Sequence, residues 1–129
     1  MGLDYLDMMI IHSPQPWVEI NQSDNRYVEG NRAAWKALEE AFKEGKLKAI
    51  GVSNFQIGDI ESLLDTCEIK PMVNQILLHI SNTPLELVEY CQKKGIAVEA
   101  YSPIAHGEIL HQPEIASMAE KYGVSVLQR

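Results

Sequence analysis

Four short apolar runs, each followed by a stretch of helical periodicity, limit this chain to very few architectures. The runs are "YLDMMIIH" (5–12), "LKAIGVSN" (47–54), "MVNQI" (72–76) and "IAVEAYS" (96–102). Each reads as a strand. Between and after them, apolar residues recur at helical spacing: Trp35, Leu38, Ala41 and Phe42; Ile57, Ile60, Leu63 and Leu64; Leu85, Val88 and Cys91; Ile115, Met118, Ala119 and Tyr122. Gly45, Gly95 and Gly123 stand just past three of these helices, and Thr83 before Pro84 reads as an N-cap followed by a first-turn proline. Strand followed by helix, four times over with short returns, predicts an α/β fold with parallel pairing. Right-handed crossovers leave a doubly wound sheet or part of a (β/α)8 barrel.

Composition narrows the setting. A chain of 129 residues that is 46% hydrophobic and 22% charged suits one globular domain, 1–129, rather than a disordered segment. A formal charge of −7 opposes the phosphate-driven attraction behind nucleic-acid binding. Cys67 and Cys91 form no CxxC pair and sit among helix formers, so they read as reduced thiols of a cytoplasmic protein. No apolar run approaches the roughly 20 residues of a membrane span, and no leader-like start is expected.

The chemistry gathers at one edge. The strands end in His12 with Ser13, in Ser53 with Asn54, in Gln75, and in Tyr101 with Ser102. In a parallel sheet or barrel these ends share the face on which α/β proteins place ligands. Each has a plain alternative: a strand-end histidine is often structural, and Ser-Asn is a common turn and helix cap. The polar stretch "QPWVEINQSDNRYVEGN" (15–31) is a long strand-to-helix connection of the kind that builds sites. His79, His106 and His111 share no metal-ligand spacing with His12, and no metal is expected.

The segments "GLDYLDMMIIHSP", "EGKLKAIGVSNF", "VNQILLH" and "KKGIAVEAYSPI" resemble, in order and spacing, the fourth to seventh βα units of the aldo-keto reductases. The resemblance covers nearly the whole chain and implies about half of a (β/α)8 TIM barrel. It implies NADPH-dependent reduction of aldehydes or ketones, with NADH as the alternative cofactor and a small carbonyl compound as partner. His12 takes the role of the histidine that orients the carbonyl. Ser53, Asn54 and Gln75 match positions that hydrogen-bond the nicotinamide carboxamide, Tyr101 the ring that stacks on nicotinamide, and Ser102 and Ile104 a loop near the pyrophosphate. Ser13 stands where the family often has an aromatic residue, which implies a wider or more polar substrate pocket. "ILLHIS" departs from the commoner acidic and proline-containing version, and His106 lies where a small serine is frequent.

The resembling segments lie between the units that carry the family's catalytic tyrosine, aspartate and lysine and the turn that grips the adenosine phosphate. None of Tyr5, Tyr27, Tyr90 and Tyr122 lies in the family's tyrosine context. The chain is therefore expected to be a partial barrel that is inactive by itself. The alternative to a reductase is a non-catalytic half-barrel that binds nicotinamide weakly or self-associates through open sheet edges.

Overall fold

The computed structural model describes residues 2–105, 107, 110 and 112–126. Strands β1 (Met9–Ile11), β2 (Ile50–Ser53), β3 (Val73–Leu77) and β4 (Ala97–Tyr101) alternate with helices α1 (Val28–Lys43), α2 (Ile57–Leu64), α3 (Leu85–Lys93) and α4 (Pro113–Tyr122). A 3-10 turn, Trp17–Glu19, lies in the connection between β1 and α1. The sheet order is β1-β2-β3-β4, with β1 parallel to β2 and β2 parallel to β3. Sequential order has no point of reversal, so right-handed crossovers place successive helices on one face, as in a barrel wall.

β1 is shorter than the 5–12 run predicts, and the reason is local. Leu6 still bridges Leu47 and Met9 pairs with Ile50 in the same register. Asp7 and Met8 interrupt the ladder at a strand with one neighbour, where Asp7 turns out to Lys48 Nζ at 3.3 Å.

Backbone proximity divides the chain into two compact units, Met1–Ile76 with Leu85–Glu99, and Leu77–Pro84 with Ala100–Arg129. The first holds a core of Trp35, Leu38, Leu47, Ile50, Val52, Phe55, Ile60, Leu63, Val73, Ile76, Leu87, Cys91 and Ile96. Trp35 spans this core and donates through Nε1 to the Ile69 carbonyl at 2.9 Å. Buried Glu39, one turn further along α1, accepts from the Glu68 and Ile69 amides at 2.7 Å each. Side chains of α1 thus fix the connection that enters β3.

Gly51 is required by its surroundings. A Cβ there would lie 2.3 Å from Val73 Cγ1 and 2.7 Å from the Val73 carbonyl oxygen.

Three sequence expectations shift. In α3 Cys91 is buried as the Leu85–Val88–Cys91 stripe implies and Val88 is half-buried, but the second buried residue is Leu87 and Leu85 is exposed, because the start of the helix faces away from the core. α3 starts at Leu85, so Pro84 precedes its first residue, and the Thr83 hydroxyl donates to the His79 carbonyl at 3.1 Å. In α4, within the second unit, Ile115 and Ala119 are buried but Met118 and Tyr122 are exposed. Cys67 and Cys91 are free thiols, and no described helix is long and apolar enough to cross a membrane.

Candidate functional site

Three strand ends of the first unit are tied together by two side chains. β2 ends at Ser53, and Asn54 then adopts left-handed backbone geometry, φ 61°. Asparagine tolerates this better than most residues. The reversal lets the Asn54 backbone amide donate to the Gln75 carbonyl on β3 at 2.9 Å. Its side-chain nitrogen reaches the other way, donating to the His12 carbonyl and to Ser53 Oγ, both at 3.0 Å. Ser53 Oγ in turn donates to the Gln75 carbonyl at 2.8 Å. Ser53 and Asn54 are buried, so these bonds form with little competition from water.

His12, Ser53, Asn54 and Gln75 therefore lie at one edge of the sheet, as the strand polarity requires. Two of the four do structural work there. The Ser53 hydroxyl and Asn54 amide hydrogens are spent on neighbouring strand ends. Gln75 is half-buried, and its side-chain amide makes no hydrogen bond among the described residues. A carboxamide presents one donor edge and one acceptor edge, and the Gln75 amide supplies the complement of each. The donor set at this edge thus fits a nicotinamide carboxamide, with Gln75 the available member.

His12 is exposed, and its ring stacks on Trp17 with centroids 5.6 Å apart and planes 10° from parallel. Ser13 behaves otherwise than a pocket-lining residue: its hydroxyl donates to the Gln15 carbonyl at 2.6 Å and accepts from the Gln15 amide at 3.3 Å, closing a local turn. The remaining candidates belong to the second unit. There Tyr101 ends β4 and is half-buried, Ser102 has φ 50° and accepts the Ala105 amide at 2.9 Å, and Ile104 is exposed. His79 Nδ1 accepts from the Ser81 amide at 3.3 Å. His106 and His111 lie outside the described residues.

Sequence reasoning missed how the long connection is held. Gln15 is buried in it: Nε2 donates to the Ser23 and Asn25 carbonyls at 2.8 and 2.7 Å, and Oε1 accepts the Asn21 amide at 2.8 Å and Arg26 Nη1 at 2.7 Å. Arg26 forks onto Asp59, with Nε donating to Oδ1 at 2.9 Å and Nη2 to Oδ2. The Asp59 side chain is buried, and its Oδ2 also accepts the Gln56 amide at the start of α2, 2.9 Å away. The bond to Asp59 raises the Arg26 pKa above its ordinary value, although partial burial opposes it. Gln15, Arg26 and Asp59 are far apart in sequence and fall on no common periodicity, so only a folded chain joins them.

Elsewhere in the first unit a cavity of about 450 Å³ opens in the helix layer, lined by Arg32, Trp35, Glu39, Cys67 and Glu68 among others. It is separate from the strand ends. Among tyrosines, a hydrogen bond to Glu19 pushes Tyr27 above its ordinary pKa, and burial pushes Tyr90 up.

A parallel sheet in sequential order, with polar groups at one edge of its strands, is a piece of a barrel-type α/β protein. The chain belongs to the aldo/keto reductase family, whose sequence pattern matches residues 1–126. It is 44% identical over 128 residues to the glyoxal reductase of Bacillus subtilis, covering 99% of this chain and 42% of that protein. An aldo-keto reductase from a Medee basin deep-sea metagenome library superposes with a TM-score of 0.84 at 32% identity, over 98% of this chain and 44% of that one. The Bombyx mori aldo-keto reductase, solved in complex with NADP, gives 0.75 at 36% identity, over 97% and 43%. The chain thus spans less than half the length of the relatives it matches.

Proposed function

We propose that this chain supplies the carbonyl-orienting and nicotinamide-facing part of an NADPH-dependent reductase of aldehydes or ketones. The observation that carries the reading is the Asn54 bridge, which holds the His12 and Gln75 strand ends together at one edge of the sheet. Membership of the family and the similarity to a glyoxal reductase and to an NADP complex support it. The chemistry NADPH supplies when bound is hydride transfer to the carbonyl carbon. His12 donates an imidazole N–H to the carbonyl oxygen and stabilises charge developing there. Gln75, set by Ser53 and Asn54, meets the carboxamide; Tyr101 stacks on the nicotinamide, and Ser102 and Ile104 approach the pyrophosphate. Ser13, with its hydroxyl turned to Gln15, leaves the substrate side uncrowded.

Proton donation calls for an acid whose pKa is tuned toward the working pH. None of Tyr5, Tyr27, Tyr90 and Tyr122 lies in the family's tyrosine context, so the 129 residues alone are expected to bind cofactor without efficient turnover. Titration of the chain with NADPH, followed by nicotinamide fluorescence, tests this. Saturable binding that Gln75→Ala weakens supports the assignment; no saturable binding refutes it, and rapid glyoxal-dependent oxidation of NADPH refutes the inactivity.

A second reading has its own observation. β1 ends the sheet and carries exposed Met9, with Leu3, Tyr5 and Met8 exposed beside it. An open edge with apolar neighbours seeks a partner, and we expect self-association through it. Light scattering at rising concentration reads this directly, and a monomer at all concentrations rules it out.

A further inference from the structure

Asn74 is a polar side chain in the first unit with no exposed surface at all. It stands between Val73 and Gln75 on β3, so its side chain leaves the sheet on the face opposite to that of Gln75. On that side it meets the helix layer: Nδ2 donates to the Phe55 carbonyl at 3.0 Å and lies 3.8 Å from Cys91 Sγ on α3. Its Oδ1 is buried with no hydrogen-bond partner among the described residues. Burying an acceptor unpaired is unfavourable, and an apolar side chain of the same branching would avoid it. What the amide supplies instead is a donor for the buried carbonyl of Phe55, the residue between Asn54 and the Gln56 cap of α2.

The run Ser53–Asn54–Phe55 is thereby held against β3 at both ends. Ser53 Oγ and the Asn54 amide donate to the Gln75 carbonyl, at 2.8 and 2.9 Å, and the Phe55 carbonyl accepts from Asn74. Between these anchors sits Asn54 with its left-handed backbone, a conformation that persists only where the surroundings over-determine it. We propose that Asn74 is a positioning residue of the nicotinamide site: from the helix side of β3 it fixes the backbone after Asn54, and so holds Asn54 and Gln75 where the Gln75 amide meets the cofactor carboxamide. For its cofactor this rests on the reductase reading; for the linkage it rests on the bonds alone. Asn74 touches no ligand in this scheme. Loss of the Nδ2 donor leaves a buried carbonyl unpaired, and the nearest relief is for Phe55 to turn it away. That turn draws Asn54 from φ 61° and loosens its amide from Gln75.

Two variants of the 129-residue chain test this. Asn74→Leu keeps the branching and removes the donor together with the unpaired acceptor. Asn74→Asp keeps the shape, and its buried carboxyl group donates to Phe55 only when protonated. With folding monitored by the Trp35 indole N–H signal, which Ile69 fixes, Asn74→Leu should bind NADPH about fivefold more weakly than wild type. Its Asn54 amide should exchange with solvent about fivefold faster, measured relative to the Trp35 indole N–H. Asn74→Asp should show a similar loss of affinity near pH 8 and regain it toward about pH 6, each compared with wild type at the same pH. Unchanged NADPH affinity in a folded Asn74→Leu protein overturns the role. So does equal acceleration at Asn54 and Trp35, which is plain destabilisation. If neither variant folds, the wild-type chain decides: the Asn74 side-chain N–H protons should exchange as slowly as the Asn54 amide, and rapid exchange there overturns the bond. No saturable NADPH binding by the wild-type chain refutes the reductase reading and the cofactor half with it, and the exchange ratio then decides by itself whether Asn74 holds the turn.

Discussion

Replacing Gly51 by alanine should cost far more than one methyl group suggests. The new Cβ would meet Val73 Cγ1 at 2.3 Å and the Val73 carbonyl oxygen at 2.7 Å, with Ile10 Cγ2 at 3.2 Å on the other side. The first contact can be relieved by turning the valine. The second cannot, because the oxygen belongs to the backbone of β3. Relief requires β2 and β3 to part by some tenths of an ångström, two residues before the point where the Asn54 amide and Ser53 Oγ both donate to the Gln75 carbonyl. Overpacking a filled interior costs about 1–3 kcal/mol, and weakening two such bonds adds about 1 kcal/mol. The stiffer unfolded chain of alanine returns roughly 0.5 kcal/mol. The expected loss is about 2–3 kcal/mol, a large share of the 5–15 kcal/mol typical of a folded domain. Urea unfolding followed by circular dichroism measures it. The double variant Gly51→Ala/Val73→Ala separates the two contacts, since it removes the methyl obstacle and keeps the carbonyl. If the double variant regains wild-type stability, the side chain and not the backbone was the obstacle, and the argument for glycine is wrong.

Asn54→Ala should lower stability by about 2 kcal/mol, from two lost side-chain bonds and a residue less suited to φ 61°; Asn54→Gly should recover part of it, and equal losses would contradict the backbone contribution. Burial raises the Cys91 thiol above its ordinary value of 9.0. The folded chain therefore keeps that proton where the unfolded chain has lost it, so this contribution to stability is present below pH 9.0 and declines as pH rises beyond it; a Cys91→Ala protein should show a flatter stability profile in alkaline urea titrations. Trp35→Phe should cost about 1–2 kcal/mol through the bond to Ile69 and the volume left empty, read as a lower midpoint in urea with an unchanged slope. Tyr101→Ala should weaken NADPH binding by about 1–3 kcal/mol, by analogy with stacking of bases on aromatic rings, and unchanged cofactor affinity in a folded variant would remove Tyr101 from the site.

Much of the fold was legible because its determinants are local. Apolar runs of strand length alternating with helical stripes specify β1 to α4 in order, and the polarity of parallel strands by itself places His12, Ser53, Asn54 and Gln75 at one edge. Motif resemblance then supplied the family, since "EGKLKAIGVSNF" and "VNQ" keep their order and spacing here. Side-chain commitments were not legible. The sequence offers Ser53 and Asn54 as free polar groups, but burial forces them to satisfy the carbonyls of neighbouring strands, which leaves Gln75 with the amide that is uncommitted among the described residues. Ser13 likewise turned to its own backbone. The α3 stripe held at Cys91 but took Leu85 in place of Leu87, because the face a helix buries is decided by what it packs against and not by its own period alone. The Gln15–Arg26–Asp59 linkage is a further case. Its members are separated by 11 and 33 residues, beyond any local spacing rule, and they meet only because the turn after β1 and the start of α2 are neighbours once the sheet has formed. Sequence alone determined what repeats along the chain; tertiary structure decided which polar atoms are left over, because hydrogen bonds are allotted by proximity in space.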